Sequence, residues 1–133
     1  MHSREKYLLI QLAKSWNNLE VSFIEHLLAE DFTYESQWVI SPLRGKENFL
    51  SYLKLKFQAI ATEINNGEML VSAELANHPD LEGKDCIVLT QTTKTEVLYV
   101  LIVIELHEKL ISRIDICFIP DPETAILTGN QPN

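Results

Sequence analysis

From Arg4 to Trp16 the apolar residues Leu8, Leu9, Leu12, Ala13 and Trp16 recur at helical spacing and leave Arg4, Glu5, Gln11 and Lys14 for water. This pattern predicts a first helix, which Asn17 and Asn18 can stop while capping a short second one. In that second helix Val21, Ile24, Leu27 and Leu28 form the buried stripe. Between Phe32 and Ile40 the 3.6 period is lost and aromatic and β-branched residues take over, up to Ser41 and Pro42, so a strand is expected there. After Gly45 a long amphipathic segment begins, in which Phe49, Leu53, Phe57, Ile60 and Ile64 fall on one face and predict a third helix.

Asn65, Asn66 and Gly67 break that helix, and from there to Pro120 the period drops to two. Four strands are expected, over Glu68 to Ala76, Cys86 to Thr93, Glu96 to Leu106 and Leu110 to Ile119. Their short, polar links favour an antiparallel meander. Three helices and a strand followed by four strands is the segregated order of an α+β fold, with the helices on one face of a curled sheet. Along Glu96 to Leu106 both strand faces are apolar, with Leu98, Val100, Ile102 and Ile104 on one and Tyr99, Leu101 and Val103 on the other. A strand covered on both sides implies a partner, and a homodimer joined through the convex sheet face is the expected form. The 133 residues suit one domain spanning 1–133, with residues 120–133 an irregular C-terminal tail that closes the fold or frays.

Composition narrows the function by exclusion. A net charge of −8, with the 11 Lys and Arg scattered, argues against a nucleic-acid partner. The longest apolar run, Val97 to Ile104, is well short of the roughly 20 residues of a membrane-spanning helix, so no membrane span is expected. Two cysteines, Cys86 and Cys117, with no secretory leader ahead of them, fit free thiols in a reducing compartment, and the cytoplasm is the expected location. His2, His26, His78 and His107 lack metal-ligand spacing and read as surface or turn residues. The four glycines are isolated, so neither a metal nor a nucleotide cofactor is expected.

The order of elements, together with Glu30, Asp31 and Phe32, then Tyr34, Ser36 and Trp38, then Pro42, Leu43, Arg44, Gly45 and Lys46, resembles the nuclear transport factor 2-like superfamily, in particular its SnoaL-like proteins. The resemblance implies a cone-shaped, strongly curved, mostly antiparallel sheet packed on three N-terminal helices, with one internal pocket. Fold alone does not select an activity from that superfamily, which holds isomerases, cyclases, dehydratases and epoxide hydrolases. Ketosteroid isomerase needs a carboxylate base and two buried proton donors. Alignment on Gly45 and on Glu30 and Asp31 places Ser36 at the base and the two donors near Leu12 and Ile102, which disfavours that isomerisation.

Two sets of residues remain as site candidates. If Ser36 faces inward so do Tyr34 and Trp38, beside Tyr52, Leu53 and Phe57 of the third helix, a lining that suits a flat, partly apolar small molecule or else fills the core. On the last strand Arg113, Asp115 and Cys117 share a face that the resemblance turns toward the pocket. There Asp115 would act as acid or base with Arg113 as electrostatic partner; the alternative is a structural ion pair, with Ile114 and Ile116 in the core. Cys117 has no histidine near it in sequence and reads as a buried thiol. Three functions are therefore open: a module binding a small ligand, an enzyme acting on a carbonyl or polycyclic substrate, and a protein-interaction domain.

Overall fold

A computed structural model describes residues 3–37 and 42–133. Helix α1 spans Arg4–Asn18, strand β1 Leu28–Ser36, β2 Leu43–Arg44 and helix α2 Lys46–Asn65. Strands β3 to β6 follow as Met69–His78, Lys84–Thr93, Val97–His107 and Leu110–Cys117, and β7 is Ile126–Leu127. The seven strands form one sheet in the order β2-β1-β6-β5-β4-β3-β7. β3 to β6 make the expected antiparallel meander, while β1 lies parallel to β6. The result is the α+β arrangement expected, with a curved sheet, but with two α-helices rather than three.

The missing helix has a local cause. Leu19 takes a left-handed conformation, φ 53°, that ends α1, and only a 3-10 turn over Val21–Phe23 follows, capped by the Glu20 side chain. Leu27 and Leu28 are already committed to the sheet. The Leu27 carbonyl accepts a hydrogen bond from Ile111 N–H, and Leu28 pairs with Ile111. Val21, Ile24 and Leu28 are buried as the apolar spacing implies, yet a 3-10 turn running into a strand satisfies that spacing as well as a helix does. The first strand accordingly begins at Leu28, ahead of the expected Phe32; the part of that expectation over residues 38–41, Trp38 included, lies outside the described residues.

Both helices lie against the inner sheet face. α1 buries Leu8, Leu9, Leu12, Ala13 and Trp16, and α2 buries Phe49, Leu50, Leu53, Phe57 and Ile60 against Phe32, Leu75, Ile87, Ile102, Ile104 and Ile114. Aromatic rings lock the helices in register. Phe49 sits 4.7 Å from Phe32 and 5.0 Å from Tyr34, and Trp16 meets Phe57 edge-on at 5.0 Å. Each such pair adds about 0.5–1.5 kcal/mol beyond area burial.

The outer face carries a second, smaller cluster of Ala76, Cys86, Val88 and Leu101, with Val103 and Cys117 against it. The tail covers part of it: Pro122 is buried and Ala125 packs on the cluster. Strand β7 pairs with β3, and the Leu75 N–H and carbonyl are met by Asn130 and Thr128. Part of the apolar outer surface of β5 is thus covered by this chain itself. Asn17 completes the same edge. Its side-chain amide donates to the Ala73 carbonyl at 2.9 Å and accepts from Ala73 N–H at 2.7 Å, as a neighbouring strand would, and it also donates to the Pro132 carbonyl. These contacts occupy the β3 edge from Ala73 to Asn77. His78 is fully buried at the end of β3: Nδ1 accepts from Asp80 N–H, so Nε2–H donates to the Asp121 carbonyl at 2.7 Å and anchors the start of the tail.

Gly45 joins β2 to α2 at φ 91° and ψ 139°, and its N–H bonds the Phe32 carbonyl at 2.7 Å. A Cβ there would meet no atom closer than 3.9 Å, so the demand for glycine is conformational rather than steric. Gly45→Ala is expected to cost about 1–3 kcal/mol in urea unfolding; an unchanged midpoint and slope would contradict this account of the junction.

Candidate functional site

At one end of the sheet the helices do not fill the space between them and the strands, and a cavity of about 90 Å³ remains. Its lining comes from seven elements. Trp16 projects from α1, Tyr34 and Ser36 from β1, Tyr52 and Lys56 from α2, Val71 from β3, Leu89 and Gln91 from β4, Leu98 and Val100 from β5, and Ile116 from β6. Pairing explains the convergence. Val71 lies opposite Gln91, Gln91 opposite Leu98 and Leu89 opposite Val100, so the sheet supplies rows of inward side chains. Trp16, Tyr34, Ser36, Leu89, Val100 and Ile116 are buried and form the floor, while Tyr52, Lys56, Val71, Gln91 and Leu98 are half-buried at the mouth.

One wall is polar. The Tyr34 ring lies 5.5 Å from the Tyr52 ring, and its hydroxyl interacts with the hydroxyls of Tyr52 and Ser36. Burial, and then the neighbouring Tyr52, hold the Tyr34 phenol far above the ordinary tyrosine range, so it is a neutral hydrogen-bonding group at any physiological pH. One turn along α2 from Tyr52, the Lys56 ammonium lies 5.8 Å from the Tyr52 ring centre.

The expected site residues divide between two sheet faces. Tyr34, Ser36 and Tyr52 come together in the cavity. Leu53 is buried in the core, and Phe57 packs between Trp16 and a separate surface hollow beside Leu19 and Val21, so neither lines it. Trp38 lies outside the described residues. Arg113, Asp115 and Cys117 face away from the cavity. β6 places Ile114 and Ile116 inward, and the alternation of the strand puts the three intervening residues on the outer face. There Asp115 and Cys117 border a shallow groove with Leu81, Val103 and Ile119.

On that outer face Arg113 Nε reaches both carboxylate oxygens of Asp115 at 2.9 and 3.1 Å, and Nη2 pairs with Glu35. The hydrogen bond to Asp115, with both nearby carboxylates, holds the guanidinium charged beyond any accessible pH. Such a half-exposed triad is a structural cluster, and it corrects the expectation that Arg113 and Asp115 turn toward the pocket. Cys86 and Cys117 are free; burial pushes the Cys86 thiol up to about 11 and the Cys117 thiol upward too, so neither is an activated nucleophile. Leu12 and Ile102, near the positions of the isomerase proton donors, are sealed in the inner core.

Trp16, Lys56, Val71, Leu89, Gln91, Leu98, Val100 and Ile116 were not among the expected site residues. For Lys56 the sequence did hold a signal, the four-residue step from Tyr52; for the sheet residues it held none until the cross-strand register was known.

No family model matches the sequence, and no curated protein sequence does. Solved structures do resemble the fold. An NTF2-like protein of unknown function from Cytophaga hutchinsonii superposes with a TM-score of 0.61 at 13% identity, over 92% of this chain and 96% of that one. A steroid delta-isomerase from Pseudomonas aeruginosa gives 0.64 at 11% identity over 87% and 80%, and a candidate polyketide cyclase from Xanthomonas campestris 0.56 at 15% over 86% and 91%. The chain therefore has the nuclear transport factor 2-like fold. Identities this low carry the fold and no activity.

A phenol whose folded-state value exceeds its unfolded one contributes stability that is complete below about pH 10 and is lost as pH rises through the folded value. Urea unfolding of the wild type at stepped alkaline pH is expected to show this loss, and Tyr34→Phe to show a smaller one. Equal alkaline slopes in the two proteins would contradict the burial of this hydroxyl.

Proposed function

We propose that the protein binds a small, partly apolar molecule in the cavity and does not transform it. The observation that supports this most is the lining. It offers an apolar floor and a wall of neutral hydroxyls, and among the described lining residues there is no carboxylate, histidine or thiol to act as general acid or base. The isomerase and cyclase names of the structural neighbours belong to those proteins; the titratable groups among the described lining residues here are Lys56 and two tyrosines.

Volume restricts the ligand. Pockets for drug-sized molecules span roughly 300–1,000 Å³, so a cavity of about 90 Å³ suits a single ring or short chain rather than a steroid or polyketide. The two free thiols, Cys86 buried and Cys117 half-buried, support a reducing compartment, and we place the protein in the cytoplasm on that ground. No helix among the described residues is long and apolar enough to cross a membrane.

Trp38→Phe leaves Trp16 as the single tryptophan, at the cavity floor. Benzyl alcohol or benzoate is expected to change Trp16 emission saturably, and Val100→Phe, which fills the floor, to abolish the response. A response that never saturates, or that survives Val100→Phe, would refute the binding site.

For assembly we propose a homodimer through the outer face, where Tyr99, Ile119 and, from the tail itself, Leu127 are exposed. Light scattering at micromolar concentration is expected to give twice the 15.3 kDa chain mass; a monomer mass would exclude the dimer.

A further inference from the structure

The cavity combines two features that together select a charge type. Lys56 is the single ionised side chain among its described lining residues, and it stands at the mouth, half-buried, over the Tyr52 ring. No ion pair of Lys56 occurs among the described residues, whereas Arg113, the cation of the outer face, is engaged by two carboxylates. The other polar lining groups, Tyr34, Ser36, Tyr52 and Gln91, all carry N–H or O–H donors. With Tyr34 and Ser36 buried below, the donors Tyr52 and Gln91 and the one cation at the rim fit an acceptor-only, negatively charged head on an apolar body. An ammonium head would meet Lys56 with no carboxylate to receive it.

The protein carries a net charge of −8, which disfavours anions at long range. That field is screened over about 8–10 Å at physiological salt, while a contact between a carboxylate and Lys56 at the partly desolvated mouth is screened far less. Local geometry therefore outweighs net charge. One cation without a phosphate cradle matches a single negative charge, and a dry cavity of roughly 150 Å³ already admits benzene. The cavity, at about 90 Å³, is smaller than that, so a body of ring size is seated there only with its head projecting through the open mouth.

We infer that the cavity selects small monocarboxylates, with an apolar body of about one ring seated between Trp16, Leu89 and Val100 and the carboxylate held at the mouth by Lys56 with Tyr52 and Gln91. This rests on the reading of the cavity as a ligand site and adds the charge of the ligand to it. A carboxylate desolvated against a lysine gains about tenfold in affinity over its neutral analogue once surface screening is allowed for.

The test compares benzoate with benzyl alcohol on the Trp38→Phe protein, read by Trp16 emission and by calorimetry. Benzoate is expected to bind about tenfold more tightly and to weaken as salt is raised. Lys56→Met is expected to erase the difference with an unchanged melting temperature, and Lys56→Arg to retain it. Equal affinities for the two solutes, or a preference for benzoate that survives Lys56→Met, would overturn the charge selection while leaving the ligand site intact. Binding of neither solute would overturn both.

Discussion

Side chains alternate from Phe32 to Ser36 of β1 and from Arg113 to Cys117 of β6, and the parallel pairing of these two stretches turns that alternation into a partition of the molecule. Tyr34 lies opposite Ile114 and Ser36 opposite Ile116, all directed at the helices, while Thr33 lies opposite Arg113 and Glu35 opposite Asp115 on the other face. A slip of one residue in β1 would bury Glu35 and expose Tyr34, and one in β6 would bury Arg113 and Asp115 and expose two isoleucines. Several kcal/mol of hydrophobic and desolvation free energy oppose either slip. The register is thus set by the core, and the chemistry of the cavity follows from it.

From this partition the rest can be ordered. Phe49 and Tyr52 of α2 meet the inward rings of β1, and Trp16 of α1 meets Phe57, so the two helices are spaced by aromatic contacts and leave the floor at Leu89 and Val100 uncovered. The outer face is closed differently, by the tail. Asn17 and His78 fix that tail at two points, one reaching from α1 and one from the end of β3. The Arg113, Glu35 and Asp115 charges end up on the outer face, while the cavity keeps the Tyr34, Ser36 and Tyr52 hydroxyls with Lys56 at its mouth.

Much of the fold was legible because long periodic segments have one good solution. α1, α2 and the four-strand meander follow directly from their apolar spacing, and the breaker Gly67 and the junction Gly45 fall where expected. The stretch from Val21 to Leu28 was misleading because a 3-10 turn and a strand entry share the spacing of a short helix. Strand alternation alone also placed Tyr34 and Ser36 together. Arg113 and Asp115 were assigned to the pocket from a family likeness, whereas the hydrophobicity of Ile114 and Ile116 pointed the correct way. Gln91, Leu98 and Val71 were invisible to any local pattern, since only cross-strand pairing brings them to one mouth.

The central claim is which face of β1 and β6 looks inward, and an isotope-edited nuclear Overhauser experiment on the uniformly labelled protein measures it without a ligand. Cross-peaks from the Tyr34 ring to the Phe49 and Tyr52 rings, with the Arg113 side chain near Glu35 and remote from Val100, are the result this account requires. Cross-peaks joining the Arg113 side chain to Tyr52 or Val100 would contradict it.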